Sequence, residues 1–130
     1  GAMDSQDESI KGTALRETYE EMGIDPRDVR LLGELDDVPT ISNYVIKPFV
    51  GTVQYPYFFN PNPDEVAEVI EVPLCHLMDR ANHRIETRVQ NTKLTHGISY
   101  GYQGVFVFGA TARILTRLLE IVQEATKEGI

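Results

Sequence analysis

The chain has 130 residues, of which 42% are hydrophobic, and this length and composition predict one soluble globular domain. Its 20 acidic and 12 basic residues give a net charge of −8, which argues against a nucleic-acid backbone as the main partner. No apolar run approaches the roughly 20 residues of a membrane span, and a single cysteine, Cys75, allows no internal disulfide, which favours a reducing, intracellular and cytoplasmic location.

The first predicted element is a helix that follows a polar start. Gly1-Ala2-Met3 is typical of an expression-tag remnant, so we interpret residues 4–130 as a single domain. Residues 4–9 are polar, and Asp7 or Ser9 is placed to cap the helix. The helix itself is predicted over residues 14–24, where Gly23 and Pro26 supply the stop.

This helix separates its charged and its less polar residues. At about 100° per residue, one face carries Arg16, Glu17, Glu20 and Glu21, and the opposite face carries Ala14, Leu15, Thr18, Tyr19 and Met22. Three carboxylates so close together repel each other, and one arginine compensates only one of them. A hard divalent cation such as Mg²⁺ would supply the missing charge; the alternative is an acidic face that water solvates.

The same residues carry a family resemblance. Residues 16–24, RETYEEMGI, resemble the second half of the Nudix box, R-E-U-x-E-E-x-G-U, in which U is a bulky apolar residue. The matching residues are Arg16, Glu17, Glu20, Glu21, Gly23 and Ile24. Thr18 departs at the first U, which costs the helix one apolar contact without touching the charged face. Glu8 stands at the spacing of an earlier glutamate of the box.

The upstream glycine of the box has no counterpart, because Ala2 stands at its place. The resemblance therefore implies a partial domain, which lacks the two or three strands and the Gly-Gly loop that precede this helix in Nudix proteins. A sheet without its first strands exposes unpaired edges and core. We therefore expect the chain to form a homodimer or to be only marginally stable.

After the helix the pattern predicts strands separated by loops. Residues 29–35 read as a strand with a bulge at Gly33, residues 36–42 as a loop, and residues 44–53 as a strand in which Pro48 requires an edge or a bulge. Residues 55–63 form a loop whose aromatic side chains either stack an adenine or cap the core; we favour the cap. These are Tyr55, Tyr57, Phe58 and Phe59.

The second half begins with a predicted strand over residues 64–71, in which alternation places Glu65 and Glu68 on opposite faces. After this strand we expect a helical turn from Pro73 to residue 78, in which Cys75 is a packed thiol, and then a loop or hairpin arm over residues 81–93. A hairpin of residues 94–100 and 102–108 around Gly101 follows, and the chain ends with a helix over residues 110–127. The apolar stripe of this last helix consists of Ile114, Leu115, Leu118, Leu119, Val122 and Ala125.

Within the Nudix family, the downstream stretches are most similar to coenzyme A diphosphatases. The similarity lies in residues 62–69, in Val72-Pro73-Leu74 and in residues 108–114, where tryptophan is more usual than Phe108. The motif that best distinguishes that subgroup would lie upstream of this chain. The resemblance implies an α+β fold, a Nudix-type α/β/α sandwich with a mixed sheet.

The resemblance also implies a reaction, the attack of water on a diphosphate linkage of coenzyme A or its thioesters. The products would be 4′-phosphopantetheine and adenosine 3′,5′-bisphosphate. Glu17, Glu20 and Glu21 would hold Mg²⁺ or Mn²⁺, with Glu21 the most central, and Arg16 would orient the carboxylates, in one arrangement through Glu8.

The identity of the general base is undecided: it is either a glutamate of the box or a later one, Glu65 or Glu68. The alternative interpretation of Glu65 and Glu68 is that they are outward-facing side chains of an edge strand. His96 is a further candidate that we interpret as a hairpin residue. Two other functions remain: a Nudix hydrolase of ADP-ribose, nucleotide sugars or dinucleotides, and a non-catalytic Nudix-like binding module or inactive fragment.

Overall fold

The computed structural model describes residues 9–127, which divide into two compact units. The first unit comprises residues 9–36 and 47–70, and it contains α1 (Ile10–Met22), β1 (Arg30–Glu34) and β4 (Phe49–Thr52). The second comprises residues 37–46 and 71–127, and it contains β2 (Val38–Pro39), β3 (Val45–Ile46), α2 (Leu74–Met78), β5 (His83–Gln90), β6 (Lys93–Tyr102), β7 (Val105–Val107) and α3 (Gly109–Lys127).

The α+β class is confirmed. Each strand pair within residues 9–127 is antiparallel, so the predicted mixed sheet is not seen in this part of the chain.

Helix α1 begins at Ile10, directly after the candidate cap Ser9 and four residues before the predicted range, and it ends at Met22, directly before the predicted stop Gly23. The Ser9 hydroxyl accepts the Gly12 N–H at 3.0 Å, which confirms Ser9 as the cap, whereas Asp7 lies outside the described residues. At the other end Gly23 adopts a left-handed conformation with φ of 72°. The buried side of α1 is centred on Thr13, and Tyr19, about 120° away from it around the helix axis, is 54% exposed. Tyr19 therefore belongs to the less polar face of the helix but is not packed.

The end of α1 is in contact with a later loop of the same unit. The Asn60 N–H donates to the Met22 carbonyl at 2.9 Å, and the Asn62 N–H donates to the Glu21 carbonyl at 2.8 Å. These two bonds satisfy carbonyls that a helix end leaves without an intrahelical partner. A Cβ atom on Gly23 would lie 2.7 Å from the Asn60 carbonyl oxygen, so only glycine allows this approach.

The strands around Pro48 differ from the prediction. The expected strand over residues 44–53 is divided into β3 and β4, which belong to different sheets. Strand β3 pairs with β2, which lies within residues 36–42, where a loop was expected. Pro48 separates the two strands because it has no N–H to donate to a ladder, and its carbonyl accepts the Leu35 N–H at 3.0 Å. The predicted bulge in β1 is confirmed, with Leu32 as the extra residue beside Gly33.

The strand predicted over residues 64–71 is wrong, because the structure has a turn there instead. The Asn62 side-chain oxygen accepts the Asp64 N–H at 3.0 Å, and the Asn62 carbonyl accepts the N–H groups of Glu65 and Val66. Asparagine makes such local bonds readily, and they compete with a strand ladder.

The second unit is built on the antiparallel sheet β5-β6-β7. The expected hairpin around Gly101 is wrong by about two residues, since Gly101 lies within β6 and pairs with Phe106. The turn is formed instead by Gln103 and Gly104, whose φ values of 49° and 81° are those of a two-residue hairpin turn. The arm predicted within residues 81–93 is confirmed as β5.

Helix α3, the short helix α2 and strand β6 supply the core of this unit. The buried core cluster consists of Leu77, Tyr100, Ala112 and Leu119. The predicted stripe of α3 is confirmed as its less exposed side, and the Tyr100 hydroxyl lies 2.7 Å from the Thr116 hydroxyl oxygen. The interpretation of Cys75 as a packed thiol is wrong, because α2 buries Leu77 and turns Cys75 to solvent.

The far end of the β5-β6 hairpin carries exposed apolar side chains, namely Ile85, Val89, Leu94 and Ile98. They occupy one face of the sheet, where Ile85 pairs with Ile98 and Val89 with Leu94. Dimerisation of the chain stays a prediction. Among the described residues, no helix is long and apolar enough to cross a bilayer.

Substitution of Gly23 by alanine tests the contact between α1 and Asn60. The left-handed conformation alone costs alanine about 1 to 2 kcal/mol, and the new Cβ atom would also meet the backbone of Asn60. We expect Gly23→Ala to lower the free energy of unfolding, measured by urea titration, by clearly more than Gly104→Ala does. Gly104 is the matched control because its φ is 81° and nothing lies within 4 Å of its added Cβ atom. Equal losses would show that the approach of Asn60 is unimportant.

Candidate functional site

The charged face of α1 forms a small ion-pair group. The Arg16 guanidinium donates through Nη1 to Glu20 Oε2 at 3.0 Å, and Nη2 lies 3.4 Å from Glu17 Oε1. The side chains of Arg16 and Glu17 are 26% and 23% exposed, and that of Glu20 is 51% exposed. The structure therefore brings together three of the predicted site residues, with the arginine between two carboxylates.

Glu21 is connected to the site through its backbone. Its carbonyl accepts the Asn62 N–H, and Asn62 in turn organises the turn that contains Glu65. The structure thus attaches the turn of Glu65 to the last turn of α1. Glu68 lies beyond this turn and is exposed, and the strand that was expected to place it opposite Glu65 does not form.

The metal-binding prediction concerns Glu17, Glu20 and Glu21. Within residues 9–127, no three carboxylate, imidazole or thiol side chains converge closely enough to hold a metal ion. The chemistry of the donor set nevertheless suits Mg²⁺ or Mn²⁺, which prefer carboxylate oxygens. One guanidinium faces three carboxylates on this helix, so the face keeps a negative charge that a divalent cation would neutralise. The suggested contact of Arg16 with Glu8 lies outside the described residues.

A tyrosine in the aromatic loop braces the turn that follows α1. The Tyr57 hydroxyl accepts the Asp25 N–H at 3.0 Å and donates to Asp28 Oδ2 at 2.7 Å. Because the donated bond goes to a carboxylate, the neutral phenol is favoured and the pKa of Tyr57 is raised above 10.0. The sequence pattern missed this role, because the two bonds join residues 32 and 29 positions apart.

The four aromatic residues of this loop divide into two pairs. The rings of Tyr57 and Phe59 lie 5.6 Å apart, and both residues are half-buried. Tyr55 and Phe58 are 79% and 95% exposed. The interpretation of the aromatic residues as a cap of the core is wrong for the exposed pair, and it stays a prediction for Tyr57 and Phe59.

Asp25 holds the start of the same turn, a 3₁₀ helix at Pro26–Asp28. Its carboxylate accepts hydrogen bonds from the side chain and from the backbone N–H of Arg27. These bonds lower the pKa of Asp25 to about 2. The carboxylate therefore stays ionised, and the turn stays capped, at pH values well above about 2.

His96 lies in the exposed part of the β5-β6 hairpin. Its Nδ1 is 3.1 Å from the hydroxyl of Thr87, the residue directly opposite on β5. Thr87 and His96 lie on the two strands of this hairpin, so the interpretation of His96 as a hairpin residue is confirmed.

Comparison with known proteins gives a consistent family. Residues 1–94 match the NUDIX domain. A protein of Pectobacterium atrosepticum named "Uncharacterized Nudix hydrolase NudL" is 39% identical over 121 residues, which cover 91% of this chain and 62% of that protein. Proteins of the same name from Photorhabdus laumondii and Enterobacter sp. are 32% and 34% identical and cover 95% and 91% of this chain. The chain spans 66% and 62% of their lengths, which is less than two thirds.

Titration of individual tyrosines tests the brace formed by Tyr57. Tyr57 should ionise at a higher pH in the unmodified chain than in the variant Asp28→Asn, as followed by its ¹³Cζ resonance. The bond to Asp28 stabilises the neutral phenol in the folded state, so its contribution to stability is complete below pH 10 and is lost as the pH rises through the raised pKa. Titration of Tyr57 at the same pH in the unmodified chain and in Asp28→Asn would contradict the brace.

Proposed function

We propose, on the premise that this chain belongs to the NUDIX domain family, that it is a hydrolase of diphosphate linkages that depends on a divalent cation. We further propose coenzyme A or its thioesters as the substrate, with 4′-phosphopantetheine and adenosine 3′,5′-bisphosphate as the products. The observation that supports the proposal best is the charged face of α1, where Arg16 contacts both Glu17 and Glu20.

We assign the binding of Mg²⁺ or Mn²⁺ to Glu17, Glu20 and Glu21. When bound, such a cation neutralises the charge that develops on phosphoryl oxygens and activates water, effects worth several kcal/mol each. Arg16 has a positioning role, because its contacts at 3.0 and 3.4 Å restrict the rotamers of Glu20 and Glu17. A carboxylate held by an arginine loses less conformational entropy when it takes up a ligand.

Among the later glutamates we favour Glu65 over Glu68 as the general base. The turn of Glu65 is connected through Asn62 to the carbonyl of Glu21, so a backbone bond attaches this turn to the last turn of the acidic helix. No comparable connection to α1 is seen for Glu68 in the described part of the chain. A glutamate from α1 itself remains the alternative base.

The choice of coenzyme A rests on the sequence similarity of residues 62–69, 72–74 and 108–114 to the diphosphatases of that cofactor. The negative charge of the chain indicates that a cation is needed to bind any substrate that contains a diphosphate. A protein of net charge −8 repels a diphosphate, and bound divalent cations offset this repulsion.

A substrate panel with two charge-neutral variants tests this proposal. With Mg²⁺ or Mn²⁺, we expect mass spectrometry to detect 4′-phosphopantetheine released from coenzyme A, and less product from ADP-ribose and diadenosine polyphosphates. Glu20→Gln and Glu21→Gln should each reduce the rate about 100-fold or more, because each removes a ligand charge. Glu124→Gln, an exposed glutamate on α3, is the matched control and should leave the rate unchanged.

Two results would overturn parts of the proposal. Faster turnover of ADP-ribose or a dinucleotide would retain the hydrolase and replace the substrate. Absence of turnover for every compound in the panel, by protein that is folded, would contradict the hydrolase and favour a binding module.

A further inference from the structure

Strand β5 forms one outer edge of the sheet β5-β6-β7, and within residues 9–127 no further strand pairs with that edge. The strand has eight residues and pairs with β6 without a register shift, whereas β7 at the opposite edge has three residues. Proteins commonly protect a long edge with a proline or a bulge, and β5 contains neither. Ile85 and Val89 on this strand are 78% and 73% exposed. The edge of β5 is therefore open to a further strand.

The backbone groups that point outward from β5 follow from the turn between β5 and β6. Asn91 and Thr92 have φ values of 50° and 65°, which are those of a two-residue hairpin turn. The flanking pair, Gln90 and Lys93, is hydrogen-bonded across such a turn, and hydrogen-bonded pairs then alternate along the ladder. The even-numbered residues of β5 therefore bond to β6. The residues that direct their N–H and C=O groups to the open edge are Ile85, Thr87 and Val89.

The side chains of β5 suit the same strand of a second copy in one register. Alternation places Glu86 and Arg88 on one face of the strand. Ile85 and Val89 lie on the other face. In an antiparallel pair of β5 strands centred on Thr87, Glu86 lies opposite Arg88 of the second copy, and two-fold symmetry repeats this pair. Ile85 then lies opposite Val89 of the second copy, so charged and apolar residues both meet matching neighbours.

Neighbouring registers are less favourable. A pair centred on Glu86 brings this carboxylate opposite its own copy and Arg84 opposite Arg88 of the second copy, and a pair centred on Arg88 brings two guanidiniums together. Like charges directly opposite each other destabilise an antiparallel pair, whereas opposite charges stabilise it. A pair centred on Ile85 includes only residues 83–87 of the strand, fewer than the residues 84–90 that pair around Thr87.

We infer that β5 pairs with β5 of a second copy of this chain, antiparallel and centred on Thr87, which joins the two sheets into one. In this register the residues with outward backbone groups lie opposite each other and form the hydrogen-bonded pairs. Glu86 and Arg88 fall at non-hydrogen-bonded positions, where opposite side chains are closer. The Ser99 hydroxyl donates to Glu86 Oε1 at 3.1 Å and so orients the carboxylate on this face. The interface contains no residue of the proposed cation site, so it is tested separately from the hydrolase.

Sedimentation equilibrium of the full chain tests this inference. We expect a monomer–dimer equilibrium in which the heavier species has twice the 14.6 kDa of one chain, with a dissociation constant of about 1 to 100 µM. Glu86→Arg and Arg88→Glu each place like charges opposite each other and should weaken the dimer at least about tenfold. Glu124→Arg and Arg80→Glu make the same charge changes at exposed residues outside β5 and should leave the dimer unchanged.

A mixture of the two β5 variants gives the sharpest outcome. In an equimolar mixture of Glu86→Arg and Arg88→Glu, each chain supplies the charge that the other requires, so a dimer with one chain of each kind should form about as tightly as the unmodified dimer. Thr87→Pro removes an outward N–H group without removing a bond to β6 and should abolish the dimer, whereas Thr87→Ala should retain it.

Three results would overturn the inference. They are a monomer at every concentration up to about 300 µM, equal dissociation constants for the β5 variants and their two controls, and a mixture that associates no more tightly than either variant alone. If a charge variant does not fold, the comparison of Thr87→Pro with Thr87→Ala gives the answer, and equal association of these two chains would equally overturn the inference.

Discussion

The contact between the end of α1 and the loop at residues 60–62 is the constraint on which the first unit depends. Gly23 alone can combine a left-handed backbone with the approach of Asn60, and this approach places two N–H groups opposite the carbonyls of Glu21 and Met22. The acidic helix and the turn that carries Glu65 are thereby joined by backbone bonds. Side chains alone, exposed as they are here, would not keep that geometry.

The charged residues of the same helix contribute little to its stability. Three carboxylates with one guanidinium destabilise an isolated helix, because like charges at spacings of three and four residues repel each other. The ion pairs of Arg16 offset part of this cost, and surface pairs of this kind contribute only about 0 to 1 kcal/mol. A cost that local pairing leaves uncompensated is typical of a site that binds a cation.

The sequence predicted correctly those helix boundaries and faces that depend on residues close together in the chain. Ser9, Gly23 and the stripe of α3 act within one or two helical turns, and their predictions are confirmed. The wrong predictions concern segments whose structure depends on distant or competing hydrogen bonds. The local bonds of Asn62 form a turn in a segment of alternating polarity, and Pro48 divides one apolar run into two strands of different sheets. The charged face of α1 could be predicted from spacing, whereas the brace of Tyr57 depends on hydrogen bonds between remote segments.

Binding of Mn²⁺ to the ¹⁵N-labelled chain is the most direct measurement for the central claim that the charged face of α1 holds a divalent cation. Mn²⁺ broadens the amide signals of nearby residues. The account predicts that broadening begins at the second half of α1 and at residues 60–66, and that it disappears when Glu17, Glu20 and Glu21 are all replaced by glutamine. Broadening centred on another acidic segment, such as Asp36 and Asp37, or unchanged in the triple variant, would contradict it.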